Sequence, residues 1–71
     1  MIVVQFAEEL RKEFRERMND VADALARGEA ASFDEYKYMT GEILGLAKAE
    51  RLLIDAAERL EKGTEEHARA H

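Results

Sequence analysis

The apolar residues Val3, Phe6, Leu10, Phe14, Met18, Val21 and Leu25 recur every three or four positions. That spacing lines one side of a 3.6-residue helix and fits no strand, so it predicts an amphipathic helix over about residues 3–27. Ala7 and Ala22 widen the stripe, while Glu8, Lys12, Glu16 and Asp20 take the opposite side. A second stripe follows as a heptad. Met39, Leu46, Leu53 and Leu60 hold its d positions, and Tyr36, Ile43, Glu50 and Ala57 its a positions. It predicts a helix over about residues 33–62, which Gly63 ends, with residues 63–71 as a frayed tail. No proline interrupts either stretch.

The segment between the stripes carries signals to stop and to start. Gly28 follows Arg27 and can take the left-handed conformation that closes a helix. Ser32-Phe33-Asp34-Glu35 has the spacing of a capping box, with a hydroxyl for one orphan N–H and a glutamate that reaches back to another. Residues 28–32 are therefore a short turn, and the chain is an all-α, antiparallel two-helix hairpin forming a single domain over 1–71. Facing residues in such a hairpin share a constant index sum, here about 60 for a turn centred near residue 30. The expected layers are Leu25–Tyr36, Val21–Met39, Met18–Ile43, Phe14–Leu46, Leu10–Glu50, Ala7–Leu53 and Val3–Ala57. All but one join apolar to apolar.

A hairpin of 71 residues is short of core. Domains of this size bury only about 60% of their unfolded surface, and they commonly rely on disulfides, a metal or association. The chain has no cysteine, and its two histidines, His67 and His71, stand in the tail without a third ligand. Association remains, either into a helical-bundle oligomer or by docking on a larger partner protein. A charged fraction of 38% leaves no run of about 18 apolar residues, so no membrane span is expected. Met1–Phe6 has no basic leader before Glu8 and Glu9, which argues against a signal peptide. The net charge of −5 is spread over both helices, with no basic stripe for phosphates, so nucleic acid is not an expected partner.

The second helix carries more apolar surface than one neighbour covers. Leu44, Leu52 and Ile54 lie off the a/d seam, as do Ala47, Ala49 and Ala56, and Gly41, Gly45 and Ala49 stand four apart on one face. Each glycine inside a helix costs roughly 1 kcal/mol relative to alanine. Either the glycines let another backbone approach closely, or Thr40-Gly41 breaks or kinks the helix. Close packing is the favoured reading, because Leu44 and Leu52 need a cover. Tyr38 cannot share the core face with Tyr36 two residues away, and its stiff ring with a polar tip suits an interface. The expected interaction face is thus Tyr38, Gly41, Leu44, Gly45, Ala49, Leu52 and Ala56. Glu50, facing Leu10, is expected to lean toward the rim and pair with Arg11. The sharper alternative is that it specifies register, as polar a-position residues can.

No catalytic constellation is legible. Ser32, the only serine, is explained by its cap, the glycines form no phosphate-binding loop, and no nucleophile or acid–base pair is placed near Glu50. No enzyme activity, cofactor, metal or small-molecule substrate is expected. The run Glu35-Tyr36-Lys37-Tyr38-Met39-Thr40-Gly41-Glu42-Ile43-Leu44-Gly45-Leu46, followed by an Ala- and Leu-rich amphipathic stretch to Leu60, resembles small uncharacterised helical proteins encoded by tailed bacteriophages. The resemblance implies a phage-encoded accessory protein in the host cytoplasm or the virion. The expected function is that of a non-enzymatic structural or interaction protein, a virion or assembly component acting as an oligomeric helical module. The alternative is a small acidic inhibitor of a host or defence protein.

Overall fold

A computed structural model describes residues 2–70 of the backbone and the side chains through Gly63. Two helices make up the fold, α1 (Ile2–Ala26) and α2 (Phe33–Ala70), packed against each other as an antiparallel hairpin. The turn is built from the chemistry written in its residues. Gly28 has φ 75°. Its N–H donates to the Leu25 carbonyl, and the Glu29 N–H donates to the Ala24 carbonyl, each at 3.0 Å. This pair of bonds is the Schellman closure, which satisfies carbonyls that a helix end would otherwise leave bare.

At the other side of the turn the Glu35 N–H donates to Ser32 Oγ at 3.1 Å. The carboxylate of Glu35 reaches back, as a capping box requires, but it accepts from Ala31 N–H at 3.2 Å rather than from the N–H of Ser32. Asp34 and Glu35 add negative charge at the positive end of the α2 dipole.

Apart from Tyr36, the residues expected in the seam are covered from the turn to mid-helix, and the line departs from expectation at the open end. Leu10, Phe14, Met18 and Leu25 on α1 and Met39, Ile43, Leu46 and Leu53 on α2 are half-buried, and Val21 is buried. Toward the start of α1, however, Phe6 is 65% exposed and Val3 lies at the surface, while Ala7 is buried and Val4 half-buried. The inward line has moved by one residue. Val4 and Ala7 instead share a groove with Ala57 and with Ile54, which the heptad had placed off the seam and which here supplies apolar surface between the helices.

Three other expectations are corrected. Tyr36 does not complete a core layer; it stacks on Phe33 with ring centroids 6.3 Å apart, and Lys37 Nζ lies 5.6 Å from the Phe33 centroid. Leu60 is exposed although it continues the d series, because α2 has 38 residues against 25 in α1 and runs past its neighbour. Gly63 does not end α2, which continues to Ala70. Only Gly28 adopts a positive φ among the described glycines, and Glu65, Glu66, Ala68 and Arg69 beyond Gly63 are compatible with helix. Expected fraying beyond Gly63 concerns side chains outside the described residues. Within α2 the helix passes through Thr40 and Gly41 without a break, and Thr40 Oγ1 donates to the Lys37 carbonyl at 3.0 Å.

The caps and the seam make separate contributions to stability. Ser32→Ala should cost about 1 kcal/mol in urea unfolding. Phe14→Ala and Leu46→Ala should each cost about 1–2 kcal/mol, less than for fully enclosed side chains because both are only half covered. Unchanged unfolding midpoints for both seam variants would remove them from the seam.

Candidate interaction surface

Two regions carry the chemistry of the hairpin, one between the helices and one on the outer side of α2. Glu50 lies in the seam at 8% exposure, the only buried charged residue among those described. Burial of a carboxylate is costly unless its oxygens are met by donors. Arg15 meets both: Nε to Oε2 at 2.5 Å and Nη2 to Oε1 at 2.9 Å. Arg11 adds a longer contact, Nε to Oε2 at 3.6 Å.

The expected pairing with Arg11 is therefore present but secondary, and Glu50 stays in the seam instead of leaning to the rim. Arg15 is the partner that sequence reasoning missed. It sits one turn along α1 from Arg11, and either arginine is long enough to reach residue 50, so spacing did not separate them. The two-pronged bond selects Arg15. The hydrogen bond from Arg15 holds the Glu50 carboxyl below its ordinary value of 4.5, against the opposing effect of burial, with the Arg15 and Arg11 charges adding to the lowering. Nearer the turn Arg17 Nε bonds Glu42 Oε2 at 2.7 Å across the helices.

The outer side of α2 is where the residues of the expected interaction face stand. Tyr38 is 74% exposed and Leu52 70% exposed, Leu44 is exposed, and Ala49 and Ala56 are partly covered. A Cβ built on Gly41 or Gly45 would meet nothing within 4 Å. The hairpin itself does not use the close approach those glycines permit. Tyr38 stands at an edge of this side, lining a shallow groove with Arg17, Asp20 and Glu42.

At the open end a groove of about 360 Å³ runs between the helices. Val4, Ala7, Ile54 and Ala57 provide its apolar surface, and Glu8, Arg11, Glu58, Glu61 and Lys62 its charged groups. No cluster of three or more metal-ligating side chains occurs among the described residues. His67 and His71 lie outside the described side chains. No helix among the described residues is long and apolar enough to cross a membrane. No protein-family model, curated protein or solved structure matches the chain.

The depressed Glu50 value fixes the sign of a pH effect. A carboxyl bound more tightly as its anion in the folded state contributes stability above its unfolded value, and that contribution is lost as pH falls through the folded value. Thermal melts of the wild type should therefore weaken as pH drops below about 4.5. Glu50→Gln should melt lower at pH 7 and show a flatter decline in that acid window. Arg15→Gln should resemble it more closely than Arg11→Gln does. Equal effects of the two arginine variants would contradict the assigned geometry.

Proposed function

We propose that this chain is a non-enzymatic helical interaction module that completes its core by self-association, and that it serves as a phage virion or assembly component. The observation that carries the reading is the thinness of the hairpin's own core. Among the described residues the buried apolar ones are Ala7 and Val21, and no large side chain is fully enclosed. The accessible surface is 5647 Å². A compact monomer of 8.1 kDa is expected to expose about 4,500 Å², so this chain leaves about 1,100 Å² more open to water.

Large apolar side chains left at the surface, Tyr38, Leu44 and Leu52 among them, are a driving force for association. The bacteriophage resemblance of residues 35–46 supports the particle and its assembly as the setting, because such structures are built from repeated copies of small chains.

Mass action provides the test. If folding is coupled to assembly, raising the protein concentration about a hundredfold raises the melting temperature. Sedimentation should find a dimer or larger species at micromolar concentration. A melting temperature independent of concentration, together with a monomer in sedimentation, would refute self-association. Mass spectrometry of purified phage particles tests the setting: stoichiometric presence places the chain in the particle, and recovery only on assembly intermediates makes it an assembly component. Absence from both would end the phage proposal.

A further inference from the structure

Met18, Leu25, Met39, Leu46 and Leu53 are all half-buried in the seam, and they stand at multiples of seven residues from one another. The series crosses the turn without losing step, with Ser32 between Leu25 and Met39. Each helix of a hairpin needs an inward side, but nothing in a hairpin relates the two sides along a straightened chain. Here they are related. On one continuous helix of 3.6 residues per turn, the inward residues of α1 (Ala7 to Leu25) and of α2 (Met39 to Ala57) centre within about 25° of each other. From this phase match we infer that the hairpin is one of two packings of the sequence. In the second, residues 2–70 run as a single helix that pairs antiparallel with a second copy, α1 of each lying on α2 of the other. The inference concerns the seam and not the outer side of α2, so it goes beyond the reading above.

The seam itself specifies the occupant. Any copy of α1 brings Arg15 and Arg11 to the level where Glu50 needs donors, and it brings the apolar series that α2 already fits. A foreign helix would have to reproduce both.

The residues of the turn suit a seam as well. On a continuous helix Gly28 and Ser32 fall on the same side as Leu25 and Met39, and an index sum of about 60 sets Gly28 of one copy against Ser32 of the other. Both are small, so the two helices need not separate there. Glu29, Ala30 and Ala31 are compatible with helix. The hairpin is held by Gly28 at φ 75° and by the local bonds of the turn. Ordinary i to i−4 bonds replace these when the helix is continuous, so no backbone group of the turn is left bare.

Gly28 makes the balance adjustable. Alanine is strained at φ 75° and favoured in a helix, so Gly28→Ala should move the equilibrium toward the paired form by roughly tenfold or more per chain. Sedimentation and small-angle scattering read the result. The hairpin extends 59 Å, whereas the paired form contains two chains and is about 100 Å long. That long dimer should predominate in Gly28→Ala at micromolar concentration, and in wild type it should grow as the concentration at refolding is raised.

Exchange of charges identifies the seam. In a Gly28→Ala background, Arg15→Glu chains and Glu50→Arg chains each lose the central ion pair when alone. Unfolded and refolded together, they form a mixed dimer with the native pair in one seam and the reversed pair in the other. The mixture should melt above either component and contain mixed dimers in excess of their statistical share. A mixture that melts as its components do, or association of compact 59 Å hairpins only, would overturn the second packing and leave self-association standing. Wild-type and Gly28→Ala chains that both stay monomeric from micromolar to millimolar concentration would overturn both.

Discussion

Two arginines on one helix converge on a carboxylate of the other, and that convergence is the one buried ionic contact between the helices among the described residues. Apolar contacts alone define register poorly here, because alanine, leucine and valine along the seam can slide by a turn and still meet apolar neighbours. Glu50 restricts the slide: moved a turn one way it would lose both arginines, and moved the other way it would exchange Arg15 for Arg11. Specifying alignment is the best-attested use of a buried ionic group in a helical seam, and the pairing of Glu50 with Arg15 has the geometry for it. Arg17–Glu42, more exposed and closer to the turn, reinforces the same alignment.

The turn and the helix faces were legible in the residues because their causes are local. Gly28 closes α1 and Ser32 opens α2 through bonds that span no more than six residues. Such chemistry depends little on what the rest of the chain does. Periodicity likewise placed Leu10, Phe14 and Val21 correctly, as it did Ile43 and Leu46. The open end was less legible, since Val3, Val4, Phe6 and Ala7 offer two overlapping stripes. The choice between them falls to Ile54 and Ala57 on the opposite helix. Gly63 was misread for a related reason: glycine permits a stop without enforcing one, and no flanking cap completes the signal. The outward residues Tyr38, Gly45 and Leu52 were identifiable as surplus to the hairpin, but the identity of their cover is a property of a second molecule.

The thin seam and the outer side of α2 belong to one physical problem. A pair of helices has only one mutual contact line, and each helix presents far more surface than that line can hide. Here α2 bears the larger share of unmatched apolar groups, whereas the outer side of α1 is dressed with Glu8, Lys12, Glu16 and Asp20. Under the proposed self-association this asymmetry would leave α1 as the water-facing layer and α2 as the layer that meets other copies.

The turn also has a bearing on which topology the chain keeps. Glu29, Ala30 and Ala31 are all favourable helix residues, so nothing between Arg27 and Ser32 resists continuation except the left-handed Gly28 and the serine cap. Straightened at these two points, residues 2–70 would form one rod roughly 100 Å long. Each half of that rod could then claim the matching half of another copy, trading the intramolecular seam for an identical intermolecular one. Gly28 and Ser32 thus guard against domain swapping, and a hairpin with so little enclosed interior has few other barriers to it.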